Sequence, residues 1–200
     1  MRTSMTSTLA AFALAPVLVA WPAAMNTMTL EPGSTLSVKG TSTVRSFECK
    51  ASELEARVET AGPGAAVAVV AGEKAVVAAA VDVPAAKLDC SNGTMNDHMR
   101  KALKAKENPV IGFRVLGYDL AKAAAGTTVK MAGELALGGV TKPITVTATA
   151  TETPDGMLRL AGTHEIKMTE FGLKPPSLLL GTMKVGDKVT VGFDLLLKDR

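Results

Sequence analysis

The chain has 200 residues, 22 of them basic and 19 acidic, for a net charge of +3; that length supports one well-buried domain rather than two. So small an excess of charge supplies no basic field for nucleic acid and no acidic tail, and 4% aromatic residues leave no stacking platform for single strands. Hydrophobic residues at 47% and a mean hydropathy of +0.23 give a globular balance, tilted apolar by alanine and by the N-terminal stretch.

Residues 1–24 read as a secretory signal peptide. Met1-Arg2 gives a positive end, Leu9 to Val19 is a small-and-apolar run containing Pro16, and Ala20 to Ala24 offers small residues for cleavage. A bilayer span needs roughly 20 apolar residues. This run is shorter and is broken by Pro16 and Pro22, which argues against a membrane anchor and for an exported chain, periplasmic or secreted, that is not an integral membrane protein. Residues 25–200 then form the mature domain.

Within it, Glu31-Pro32-Gly33-Ser34 cannot sit inside a strand. Leu36, Val38 and Gly40 alternate with Ser37 and Lys39, and 44–50 continues extended. Leu54, Ala56 and Val58 alternate with Glu53, Glu55, Arg57 and Glu59. Residues 61–66, with Gly62-Pro63-Gly64, read as a loop, and 75–83 as a strand carrying Val77, Val81 and Val83 on one face. Thr94 and Asp97 approximate a capping box, after which Met95, Met99, Ala102 and Leu103 recur at helical spacing. One short helix, roughly Met95 to Lys104, is expected there, stopped before Asn108-Pro109. It reads as a plug for one end of a β-structure.

Strands resume at Ile111, Phe113 and Val115. Val129 to Ala150 is the clearest segment. Val129, Met131, Leu135 and Leu137 share one face, then comes a turn block, Gly138-Gly139-Val140-Thr141-Lys142-Pro143, and then Ile144, Val146, Ala148 and Ala150 face one way. Strict alternation marks half-buried strands, because successive side chains point to opposite faces. A further strand holds Leu158, Leu160 and Ile166, with Gly162 as a possible bulge. A long loop from Phe171 to Gly181 carries the apolar tip Leu178-Leu179-Leu180. Val189, Val191, Phe193, Leu195 and Leu197 line the last strand. The expected fold is all-β: an antiparallel barrel of about eight strands with one short helix, closed so that no edge is left unpaired.

Two cysteines in an exported chain, Cys49 and Cys90, favour a structural disulfide over free thiols, and a loop of that length would stabilise by about 4 kcal/mol. Nothing assembles a catalytic centre. Of the two histidines, His98 reads as an exposed helix residue, and His164 faces inward unless Gly162 bulges. Two histidines on separate elements supply no convincing metal site, and no cofactor motif is present.

Four segments together resemble the YceI-like family of exported proteins. They are Gly40-Thr41-Ser42-Thr43-Val44-Arg45 with Phe47-Glu48-Cys49; Leu88-Asp89-Cys90 through Arg100, leading to Asn108-Pro109-Val110-Ile111-Gly112-Phe113; Gly133-Glu134-Leu135 through Gly139-Val140-Thr141-Lys142-Pro143-Ile144; and Lys167-Met168-Thr169-Glu170-Phe171-Gly172-Leu173 with Val185-Gly186-Asp187. The resemblance implies a lipocalin-like barrel in the bacterial periplasm, holding a polyisoprenoid or similar long-chain lipid inside. Members with a cysteine in each of the first two segments look like a disulfide-bearing subgroup, which the resemblance extends to Cys49 and Cys90. The lining residues expected on that basis are the inward alternates Val38, Ile111, Phe113, Val115, Met131, Leu135, Ile144, Val146, Leu160, Val191, Phe193 and Leu195. By alternation alone they fit a packed core equally well. A structural or stress-response barrel acting through a protein partner is therefore the alternative, and a homodimer is left open.

Overall fold

The computed structural model describes residues 26–178 and 183–200. The expected signal segment, 1–24, lies outside them, as do Leu179, Leu180 and the side chain of Leu178 at the loop tip. The strands are β1 (Asn26–Leu30), β2 (Thr35–Ser42), β3 (Ser46–Ala51), β4 (Glu55–Thr60), β5 (Val76–Pro84), β6 (Leu88–Asp89), β7 (Val110–Ala123), β8 (Gly126–Leu137), β9 (Val140–Glu152), β10 (Leu158–Lys167), β11 (Ser177–Leu178) and β12 (Met183–Asp199). Two helices, α1 (Ala65–Ala71) and α2 (Gly93–Ala102), interrupt them.

The antiparallel order β1-β4-β5-β7-β8-β9-β10-β12 returns to β1 and closes an eight-stranded barrel. Eleven of the twelve strands make eight barrel positions because three of those positions are broken, and β11 pairs with β12 off that path. β1 and β2 run end to end along β12, with Leu30 opposite Leu197 and Thr35 opposite Asp194, while residues 31–34 loop out between them. Pro32 and the left-handed Gly33 (φ 96°) explain that break. In the same way β3 and β4 follow β2 and β1, and β6 and β5 follow β3 and β4.

The turn block is shorter than its sequence implies. Gly138 and Gly139, at φ 58° and 87°, form a two-residue hairpin turn, and Val140–Pro143 already belongs to β9. Such a turn needs positive φ at both positions, hence the paired glycines. Pro143 is tolerated inside the strand because it sits opposite Glu134 at a non-hydrogen-bonded position. Its missing N–H points to the side where β10 has already parted from β9, whose pairing stops at Ala148 and Gly162.

Gly162 is not a bulge. The β10–β12 register is continuous from Leu158 to Lys167, so His164 stays in phase with Leu160 and Ile166 and faces inward. A Cβ at Gly162 would stand 2.6 Å from the Thr147 carbonyl and 2.8 Å from the Phe193 ring, so glycine there makes room for the ring. Val77 departs from expectation in the other direction. Glu59 pairs with Ala78 and Thr60 with Val76, so Val77 is the extra residue of a bulge and turns outward, 61% exposed.

Each barrel end has its own plug. At the lower end, where the first and last described residues lie, α1 buries Ala65, Ala66 and Val69 against Met28, Val58, Val129, Ala150, Leu158 and Leu197. Sequence reading took its start for a loop; the Gly64 and Gly72 brackets, both at positive φ, delimit a single apolar helical stretch. Asp199 Oδ2 accepts from the Ala66 N–H at 3.2 Å, and Thr127 Oγ1 donates to the Val70 carbonyl at 2.6 Å. Both helix ends are thereby fixed, the carboxylate at the positive one.

At the upper end, the gap between β9 and β10 is closed by a 3-10 turn over Met168–Phe171 and by Leu173. Phe171 and Leu173 are each 2% exposed and pack with Leu135, Leu137, Ile166 and Met168. Asp187 pins this turn by accepting from the Thr169 N–H at 2.8 Å and its hydroxyl at 2.7 Å. Those bonds hold the Asp187 carboxyl below its ordinary range. A carboxyl lowered on folding contributes stability above its unfolded pKa and loses it as pH falls through the folded one. Stability of the protein is thus expected to be flat from neutral pH to about pH 5 and to drop below roughly pH 4. The gap between wild type and D187N in urea denaturation should be largest near pH 7 and narrow as pH falls through the lowered pKa of the folded Asp187 carboxyl.

Candidate functional site: the barrel interior

Between the two plugs lies one cavity of about 600 Å³ that runs the height of the barrel. That volume is in the range of pockets that take one small organic or lipid molecule. The strand register orders its wall in tiers. Val185 and Ser42 are opposed near the mouth; below them, Val189 faces Gly40 and Gly40 faces Phe47. The next tier runs from His164 to Val191, Val38 and Cys49. Phe193 and Leu36 follow, then Leu160 with Leu195, and at the floor Leu158 with Leu197.

All twelve residues expected on the inner face — Val38, Ile111, Phe113, Val115, Met131, Leu135, Ile144, Val146, Leu160, Val191, Phe193 and Leu195 — lie on the cavity wall. The cross-strand pairs Phe113–Leu135 and Met131–Val146 show how alternation delivers them there. Cys49 and Cys90 are joined in a disulfide, 2% and 8% exposed, and they too touch the cavity.

The roof is α2. Its N-cap Asn92 accepts from the Met95 N–H at 3.0 Å, and Asn96 accepts from the Cys90 N–H at 2.7 Å while donating to Asp89 at 2.7 Å. Thr94 is inside the first turn rather than the cap, so the expected capping box is replaced by an asparagine cap two residues earlier, at Asn92. Met95, His98, Met99 and Ala102 face the cavity. His98 is therefore half-buried and inward, not exposed. The signal was present: His98 follows Met95 by three residues, and residues three apart share a helix face.

Few polar groups reach the lumen. Ser42, Arg45, Asn92, Thr94 and His98 ring the mouth, and His164 and Tyr118 lie on the wall. Tyr118 is already satisfied, its hydroxyl accepting from the Val76 N–H at 3.0 Å and donating to the Val76 carbonyl at 3.3 Å. Among the described residues no group of three or more His, Cys, Asp or Glu is placed to hold a metal ion, and no helix is long and apolar enough to cross a membrane.

The architecture recurs in solved structures. BcnA of Burkholderia cenocepacia superposes with a TM-score of 0.64 at 22% identity, over 82% of this chain and 95% of that one. A polyisoprenoid binding domain from Saccharophagus degradans gives 0.63 at 13% identity, over 86% and 98%. The YCEI protein of Campylobacter jejuni gives 0.54 at 15% identity, over 100% and 99%. No curated protein sequence matches the chain. At these identities the superpositions establish the fold alone. Family membership rests on the sequence itself: the model of the YceI-like domain matches residues 30–197, nearly the whole closed barrel, and the chain belongs to that family.

Proposed function

We propose that this protein is a binding protein that carries or stores one long-chain lipid of the polyisoprenoid class in its barrel, in the periplasm or outside the cell. The observation that carries this reading is the cavity of about 600 Å³, walled by aliphatic and aromatic side chains from every barrel position. Each methylene-sized group moved from water into such a wall gains about 0.8 kcal/mol. A long hydrocarbon needs no directional partner along its length, which suits a lumen with so few polar groups. The domain from Saccharophagus degradans, described as polyisoprenoid binding, shares the fold. Export is supported by the composition of residues 1–24 and by the disulfide, which persists in oxidising compartments.

Binding rather than catalysis is favoured by the lining. Ser42 spends its hydroxyl on the Arg45 carbonyl at 2.8 Å, and no carboxylate among the described lining residues stands beside either histidine. Protein purified from its native compartment and extracted with organic solvent is expected to release one long-chain lipid in near-stoichiometric amount by mass spectrometry. Lipid-free protein that also fails to take up prenyl lipids in vitro overturns the reading.

A further inference from the structure

We propose that the seam between β5 and β7 is a side portal to the lumen, latched by Tyr118, through which the hydrocarbon ligand enters and leaves while both barrel ends stay closed. This rests on the lipid-binding reading and adds a route to the site it describes.

Most of the wall is a continuous ladder. β8 pairs with β9 from Thr127–Ala150 to Leu137–Val140, and β10 pairs with β12 from Leu158 to Lys167. Two ladders stop well before their strands do. The β9–β10 seam parts above Ala148 and Gly162, and Phe171 and Leu173, each 2% exposed, fill it. The β5–β7 seam has no such filling. Its ladder runs from Pro84–Val110 down to Ala79–Val115 and ends there, although β5 begins at Val76 and β7 continues to Ala123. Both strands carry an extra residue at that height. Val77 is the bulge of β5 against β4, and Leu116 is the bulge of β7, between Val115 opposite Gly133 and Gly117 opposite Ala132. A bulge bends its strand, and two bulges on either side of one seam lead the strands apart.

Where they part, a cleft of about 210 Å³ opens on the outer surface, with Val76 and Val77 on one side and Leu116 and Gly117 on the other. The cleft and the lumen share Val76, Ala79, Val115 and Tyr118 in their walls, so these residues form the partition between them. Tyr118 does the work of the missing ladder. Its hydroxyl accepts from the Val76 N–H at 3.0 Å and donates to the Val76 carbonyl at 3.3 Å. Outside, the Lys74 ammonium stands 5.5 Å from the centre of the tyrosine ring and 3.2 Å from Asp119 Oδ1, in exposed positions. A Cβ at Gly117 would meet no atom within 4 Å. Val77 and Leu116, 61% and 65% exposed, make the two lips apolar.

Opening a ladder means breaking its backbone bonds in series. Opening this seam means swinging one side chain and exchanging its two hydrogen bonds for bonds to water, a local motion of low cost. The ends offer no comparable path: α1 is packed into the floor, and the Cys49–Cys90 disulfide ties the segment leading into α2 to the wall. A chain leaving through the seam passes from the lumen onto Val77 and Leu116, so its apolar surface is covered on the way out. The occupant of the cleft is thus the hydrocarbon of the ligand in transit.

The test follows transfer of dansyl-labelled geranylgeraniol from the protein to phosphatidylcholine vesicles carrying a quencher, by stopped flow. Ala78→Cys with Gly117→Cys puts one thiol on each side of the cleft and none on the lumen wall. Because the native cysteines are paired, a short bis-maleimide bridges the new thiols alone. The same variant capped by N-ethylmaleimide is the unbridged control, and Lys130→Cys with Thr147→Cys carries the same bridge across the intact β8–β9 ladder. Bridging the seam is expected to slow transfer about tenfold or more relative to the capped form and to leave equilibrium affinity within about threefold, while the β8–β9 bridge changes neither. Tyr118→Phe, folded by circular dichroism, is expected to raise uptake and release together by roughly fivefold. Bridged protein that transfers lipid as fast as the capped form, or a β8–β9 bridge that slows it equally, overturns the portal and leaves the lipid carrier intact. A Tyr118→Phe protein in which release alone speeds up overturns the latch. If the unmodified protein takes up no prenyl probe, the portal and the carrier fall together.

Discussion

Val81→Trp is expected to strip the protein of its lipid without weakening the fold. Val81 projects from β5 between Ala56 of β4 and Phe113 of β7, half-buried and on the cavity wall. It belongs to neither of the packed clusters that seal the barrel ends. An indole at this position therefore grows into open lumen. It fills part of the roughly 600 Å³ and blocks the passage of a chain from mouth to floor. Since the ring removes apolar wall from contact with water or void, the folded state loses nothing by it, and the change in unfolding free energy should stay within about 1 kcal/mol. Extracted lipid should fall tenfold or more by mass spectrometry. A solid core gives the opposite pattern. There the added ring overpacks its neighbours and costs about 1–3 kcal/mol or more, with no lipid signal to lose. Chemical denaturation and lipid analysis on the same preparation thus separate a carrier from a barrel that works only through its outer surface.

Most of the barrel was legible because its strands alternate and half-buried strands must. The Val129–Ala150 hairpin is the clearest case: every residue expected to face inward there does so, from Val129 opposite Ala148 to Leu135 opposite Lys142. What escaped was whatever depends on a partner strand. Val77 alternates with Val81 and Val83 in sequence, yet a single extra residue against β4 turns it outward. The three broken barrel positions look like separate short strands until their shared neighbours are known. The helix α1 escaped for a different reason. Its seven residues, AAVAVVA, are apolar all round, so they show neither helical nor strand period, and only burial at a barrel end makes sense of them. His98 was misplaced despite a usable signal, since a histidine three residues from Met95 shares its face.

Whether the interior was hollow was not legible from pattern at all. A dry core and a lipid tunnel both require apolar inward alternates, and the difference lies in how far apart opposing walls stand. Strand number and tilt set that distance. Eight strands leave space for either filling, and here a cavity of about 600 Å³ remains between the walls. The two ends are closed instead by inserted elements, α1 below and α2 with the Phe171–Leu173 segment above. The middle is left open.

The disulfide ties this roof to the wall, and its loss is the second change expected to have a large effect. Cys49 lies on β3 in the tier of Val38, and Cys90 begins the segment that leads into α2. The bond closes a loop with a sequence separation of 41, which includes β4, α1 and β5. In the chain-entropy description a loop of this length withholds about 4 kcal/mol from the unfolded state. For the C49A/C90A variant that corresponds to a fall in Tm of roughly 10 °C. The effect should be larger locally than globally. Without the bond, α2 is held by the short network of Asp89, Asn92 and Asn96 and by its methionines over an unfilled lumen. Because α2 has no fully buried residue, its packing offers little resistance to opening. Hydrogen exchange in Gly93–Ala102 is therefore expected to accelerate well beyond the change in β8 and β9, and bound lipid should exchange faster with acceptor vesicles. A variant whose Tm stays within about 3 °C of wild type, or whose α2 amides exchange no faster, relative to wild type, than those of the hairpin, would mean that the roof is held by packing and that the disulfide is incidental to it.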